Sequence, residues 1–138
     1  MIIIDTNIAI DLRDAEPETA HMVSTLGGPP ALAMISRIEL ESGVYRDSAH
    51  VSLRRRLLDR LLATVPVVMF TAEDIAAYGR IIETLGHDRQ RTLDRLIAAQ
   101  AIVRNATLIT RNGKDFRKIA GLKLIEWETP EAREAGAE

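Results

Sequence analysis

Short apolar segments alternating with helical patterns predict an α/β sandwich built on a mainly parallel sheet. Two observations carry that expectation. Four apolar stretches, Ile2–Ile4, Ala31–Met34, Val65–Met69 and Thr107–Ile109, and a weaker fifth at Leu122–Ile125, are each bounded by polar or turn residues and are too short for globular helices. The longer segments between them repeat apolar residues at helical spacing, so each strand is followed by helix before the next strand begins.

In chain order, Ile2–Ile4 reads as a buried strand: the run is far too short to cross a membrane, and no positive residues precede it as they would a signal segment. Pro17-Glu18 opens a helix that Gly27-Gly28-Pro29-Pro30 terminates. After the second strand, Ser36 with Glu39 three residues on has the form of a capping box. Leu53, Leu57, Leu58, Leu61 and Leu62 then make one apolar stripe, with Arg54, Arg55, Arg56 and Arg60 outside it. Thr71-Ala72-Glu73-Asp74 caps a helix that runs through Ile75, Tyr78, Ile81 and Ile82 to Gly86. Thr92 or Asp94 starts the next, in which Ile97, Ala98, Ala101 and Ile102 share a face.

The 138 residues suit one domain with a continuous core, and 46% hydrophobic with 28% charged residues fits a soluble globular chain. The absence of cysteine excludes a disulfide scaffold and any thiolate metal site, and suits a reducing, cytoplasmic setting. A net charge of −2 gives no global attraction to nucleic acid. Arg89, Arg91, Arg95, Arg111 and Lys114 nevertheless crowd one segment, as a basic rim for a phosphate-bearing substrate would, or as solvated helix faces. His21, His50 and His87 share no metal-ligand spacing, Gly27-Gly28 lacks the Lys-Ser/Thr of a phosphate loop, and 4% aromatics argues against a base-stacking platform.

Four acids carry the functional information. Asp5 lies just past the first strand, Glu39 about a turn into the helix after the second, Asp94 at a helix start and Asp115 a few residues past the fourth strand. In parallel sheets, ligands bind beyond the carboxyl ends of the strands, where these acids are expected to gather. Each also has an ordinary structural reading: Asp5 and Asp94 as helix caps, Glu39 as partner of Ser36, and Asp115 as turn chemistry after Asn112-Gly113. Carboxylates gathered at one edge repel one another unless a divalent cation neutralises them, and such a set suits magnesium or manganese in phosphodiester hydrolysis. Thr6, Asn7, Thr110 and Asn112 stand close enough in sequence to orient Asp5 and Asp115. A phosphatase with Asp5 as nucleophile would favour a second aspartate two residues later, where Asn7 stands. A binding module without turnover is the other alternative.

Ile2-Ile3-Ile4-Asp5-Thr6-Asn7, Ile38-Glu39-Leu40, Asp94-x-x-Ile97-Ala98-Ala99 and Leu108-Ile109-Thr110-Arg111-Asn112-x-x-Asp115-Phe116 resemble, in order, the PIN-domain family. More narrowly they resemble the VapC toxins of bacterial type II toxin–antitoxin pairs. The resemblance covers Met1 to about Trp127, which makes residues 1–127 a PIN-like nuclease domain and 128–138 an expected flexible tail. It implies a three-layer α/β/α sandwich and a magnesium- or manganese-dependent endoribonuclease acting through metal-activated water. Asp5, Glu39 and Asp94 would be the core metal and catalytic set, and Asp115 a supporting member. It also implies a homodimer, neutralised by a small VapB-type antitoxin that connects it to operator DNA.

Overall fold

The computed structural model describes residues 1–129; most of the expected tail, from residue 130 on, lies outside them. Five strands, β1 (Ile2–Ile4), β2 (Ala31–Ala33), β3 (Val67–Val68), β4 (Thr107–Thr110) and β5 (Lys123–Glu126), form one parallel sheet in the order β3-β2-β1-β4-β5. The helices are α1 (Thr6–Arg13), α2 (Pro17–Ser24), α3 (Met34–Val44), α4 (Val51–Leu62), α5 (Ala72–Leu85) and α6 (Thr92–Val103). Short 3-10 turns at Ser48–His50, Arg89–Arg91 and Gly113–Asp115 complete the described chain.

Strand alternation divides the core into two layers. Ile3, Ala31, Ala33 and Leu108 point to one face, where they pack with Ala77 and Ile81 of α5, Ile97 and Ala101 of α6, and Phe116. Ile4, Leu32 and Ile109 point to the other, against Ile8 of α1, Leu40 and Val44 of α3, and Leu58 and Leu61 of α4. With both faces covered, the central strands are apolar throughout, as buried parallel strands are. The expected three-layer sandwich is therefore the observed one.

The strand order reverses between β1 and β4, because β2 and β3 grow on one side of β1 while β4 and β5 lie on the other. Open α/β sheets place their ligand crevices at such a switch point, beyond the carboxyl ends of the strands. Asp5 and Thr110 stand there side by side: Ile4 pairs with Ile109, and Asp5 N–H donates to the Ile109 carbonyl at 2.9 Å.

The structure corrects the expected capping of α3. The helix begins at Met34, directly from β2, with Ala33 at the cap position and no side-chain cap of its own. Ser36 lies inside the first turn and is fully buried. The missing cap is supplied from another element: Gln100 of α6, buried, accepts from Met34 N–H at 2.8 Å and donates to the Val68 carbonyl at 3.0 Å. The third apolar segment pairs over only two residues, because Val65 N–H turns back to the Leu61 carbonyl at the end of α4. Thr71 and Asp74 do form the expected capping box on α5, and Asp74 also holds Arg104 at 2.7 Å.

Gln100→Leu keeps the side-chain size but strands a buried N–H and a strand-end carbonyl. It is expected to lower stability by about 2–3 kcal/mol, seen as a lower urea midpoint with unchanged slope.

Candidate active site

The first carboxylate is fixed from two directions. Asp5 caps α1 by accepting from Thr6 N–H at 2.8 Å on one oxygen, and accepts from the Thr110 hydroxyl at 2.8 Å on the other. Thr110 Oγ1 in turn accepts from Asn112 N–H at 3.0 Å. The capping reading and the site reading of Asp5 thus hold together, since the cap itself turns the carboxylate toward the crevice. Burial raises its pKa, the two hydrogen bonds oppose the rise, and the nearby Asp115 charge adds to it.

Glu39 reaches the crevice from the second turn of α3. Its Oε1 accepts from the Thr6 hydroxyl at 2.8 Å, and that hydroxyl also lies 2.8 Å from Ser36 Oγ. Here too burial raises the pKa, the Thr6 bond lowers it and the Asp5 charge raises it. Asp94, in the first turn of α6, makes no hydrogen bond or ion pair among the described residues. Burial, then the charges of Asp5, Asp115 and Glu39, push it up to about 6, with Arg91 opposing. Asp115 ends the last 3-10 turn and is paired with Arg91 at 2.9 Å.

All four acids, with Thr6, Asn7 and Asn112, line one cleft of about 450 Å³. Thr110 lies beneath it, fully buried. The basic residues expected at the rim separate into two groups. Arg89 and Lys114 are exposed, and Arg91 holds Asp115 and, at 3.5 Å, Asp88. Arg95 instead is buried with its guanidinium on the Gly86 carbonyl at 2.7 Å. The Arg111 side chain, 5% exposed, ties Asp11 and Thr19 together and so braces α1 against α2. Neither is free to meet a substrate. The cations that do line the cleft are Arg13, Arg46 and Arg54, of which the sequence had offered only Arg54, on an outer helix face. Only the packing of α3 against α4 brings Arg46 and Arg54 there, so no local pattern marked them.

A family model described as the PIN domain matches residues 2–122. The chain belongs to the PIN-domain family. Among PIN relatives, it is 31% identical over 133 residues to Ribonuclease VapC2 of Rickettsia felis, covering 91% of this chain and 96% of that protein. It is 35% identical over 124 residues to Ribonuclease VapC19 of Mycobacterium tuberculosis, covering 84% and 92%. Among solved PIN folds, it superposes with a TM-score of 0.81 and 29% identity on VapBC2 from Rickettsia felis bound to a DNA fragment from their promoter, covering 93% of this chain and 100% of that one. VapBC-1 from nontypeable Haemophilus influenzae gives 0.77 at 29% identity, covering 92% and 98%.

The PIN carboxylates fit a divalent cation by donor chemistry: they are hard oxygens, and burial, with their mutual repulsion added, raises Asp94 to about 6. No three Asp, Glu or His side chains among the described residues converge as a ready coordination set.

Asp94 ionises less readily in the folded chain than in the unfolded one, whose carboxylate titrates near ~3.9. Its charge therefore destabilises the cation-free fold fully above about pH 6, and the penalty fades as pH falls toward ~4. In EDTA, Asp94→Asn should raise stability by about 1 kcal/mol at pH 7.5, allowing for solvent screening at this partly exposed group. The gain should vanish by about pH 4 in denaturant titrations.

Proposed function

We propose that this protein is the toxin component of a type II toxin–antitoxin pair, a divalent-metal-dependent endoribonuclease that hydrolyses RNA phosphodiester bonds. The observation that carries the reading is the set of four acids on one cleft of a PIN fold, with Asp5, Glu39 and Asp94 each reaching it from a separate element. Relatives over nearly the full length are named as ribonucleases, and solved relatives as VapBC toxin–antitoxin complexes.

Asp5, Glu39 and Asp94 would hold the cation, magnesium or manganese, with Asp115 in support. When bound, it supplies a more acidic water and stabilises charge on the phosphate. Thr110 and Thr6 aim Asp5 and Glu39 and favour their ionised forms against the effect of burial, since each hydroxyl donates to the charged form. Arg91 restrains Asp115 and offsets part of the negative field on Asp94. In the hydrolysis, a water oxygen bonds to phosphorus, the bond to the 3′ oxygen breaks, and that oxygen takes a proton. The products are a 3′-hydroxyl and a 5′-phosphate.

The partner reading has its own support. An apolar cleft of about 520 Å³ between α1, α2 and α4 is lined by Leu12, Val23, Leu57 and Leu61. Arg13 lines both this cleft and the acidic one, so a small VapB-type antitoxin lying along the first would arrive at the acids. Operator DNA would be met through that antitoxin. The toxin would act in the cytoplasm, and among the described residues no helix is long and apolar enough to cross a membrane. Ile38 on α3 and Tyr45 just past its end, 54% and 60% exposed, support a homodimer through that face.

Incubated with mixed transfer and ribosomal RNA, the antitoxin-free protein should cut discrete sites with magnesium or manganese and none with EDTA. Asp5→Asn, which preserves the cap, should reduce cutting at least about 100-fold. Cutting that survives in the variant, or that needs no metal, would falsify the mechanism. No cutting at all would favour a binding role. Separately, Ile38→Asp with Tyr45→Asp should leave a folded monomer in sedimentation equilibrium.

A further inference from the structure

The acidic cleft has a second wall of opposite charge. Arg46, in the turn after α3, and Arg54, on α4, line it together with the four acids, and Gly43 lies between them. Their guanidinium groups have donor capacity to spare. That of Arg46 makes no hydrogen bond or ion pair among the described residues. Arg54 donates a single hydrogen bond, to the Gly43 carbonyl at 3.2 Å. Asp47, whose carboxyl the His50 and Ala49 bonds lower first and Arg54 lowers last, is already held by His50 at 2.6 Å and by Ala49 N–H at 3.0 Å.

Arg89 and Lys114 are exposed and do not line the cleft, and the remaining cations near it are committed. Arg13 forks onto Asp14, Arg91 holds Asp115, and Arg95 and Arg111 are buried in structural bonds. Arg46 and Arg54 share the cleft with Asp5, Glu39 and Asp94 and yet pair with none of them. The backbone explains this separation: the acids hang from β1, mid-α3 and α6, while the cations come from the far end of α3 and from α4. Opposite charges held apart across an open cleft leave room for a group that satisfies both, and a phosphodiester bridging a cation and two guanidinium forks does so.

We propose that Arg46 and Arg54 are the substrate-seating residues of this site, binding the RNA backbone phosphates beside the scissile one on the α3–α4 side. This rests on the ribonuclease reading above and adds where the strand lies. The two forks act on binding, and the acids act on chemistry.

The test is steady-state cleavage of a mixed transfer and ribosomal RNA pool by the full chain with manganese, over a series of salt concentrations. Arg46→Gln with Arg54→Gln should raise KM about ten-fold with kcat within about two-fold, and should lower the slope of log affinity against log salt by about 1.4 for a single strand. Arg46→Gln alone, at an exposed position, should give a smaller rise of the same kind. Arg46→Lys with Arg54→Lys should restore part of the affinity, and Arg56→Gln, outside the cleft on the same helix, should change neither constant. If the parent cleaves while the double variant keeps parental KM and salt slope, the inference is overturned and the ribonuclease reading stands. A fall in kcat at unchanged KM overturns it as well. If the parent cleaves no RNA with metal, the ribonuclease reading fails and takes this inference with it.

Discussion

The hydrogen bond from Thr110 to Asp5 crosses the boundary at which the sheet changes direction, and the site is built outward from it. Asp5 is joined to β4 twice, through its backbone N–H and through one carboxylate oxygen, while the other oxygen starts α1. The residue that follows, Thr6, then reaches across to α3 and holds Glu39. One short polar chain, from Asn112 N–H through Thr110, Asp5 and Thr6 to Glu39, thus ties four elements together in a partly dry setting. Such linked bonds are strong when complete and costly when broken, and every buried side-chain polar atom among the described residues has a partner.

That polar skeleton holds together charges that would otherwise separate. Asp5, Glu39 and Asp94 are all raised by burial first, and neighbouring charge adds to each: Asp115 to Asp5, Asp5 to Glu39, and Asp5, Asp115 and Glu39 to Asp94. The fold moderates the repulsion rather than removing it: hydroxyls donate to two of the acids, Arg91 takes the fourth, and Asp94 sits in a helix first turn where the backbone dipole favours a negative charge. All four acids line the same cleft. On the proposed function, a site left in this condition trades stability for affinity toward a cation.

The fold was legible because its signals are local. Alternating apolar strands, Thr71-Ala72-Glu73-Asp74 as a cap and Gly27-Gly28-Pro29-Pro30 as a stop are short-range statements, and the strands fell within a residue or two of their expected ends. The four acids were legible for a related reason: a parallel sheet brings its strand ends to one edge, so a position after a strand already implies a place in space. What the sequence hid depends on distant packing. Ser36 with Glu39 has the form of a capping box, but Gln100, 66 residues away from Met34, supplies the cap, leaving Ser36 buried against Thr6 and Glu39 on the cleft. Arg95 and Arg111 look like rim cations beside two acids, yet their partners are Gly86, Asp11 and Thr19, which no spacing rule brings near. Arg46 and Arg54 are the converse case, unremarkable in sequence and central in space.

The absence of a loop between β2 and α3 fixes more than a helix start. Because strand passes into helix at Ala33–Met34, the direction in which Glu39 points is set by the register of Leu32 and Ala33 in the sheet. One residue inserted or removed between Ala33 and Glu39 would turn that carboxylate about 100° around the helix and off the cleft. The turn at Gly27–Pro30 carries no such phase. Length variation in this chain is therefore tolerable before β2 and intolerable just after it, and the spacing from the second strand to its acid is as much a part of the site as the acid.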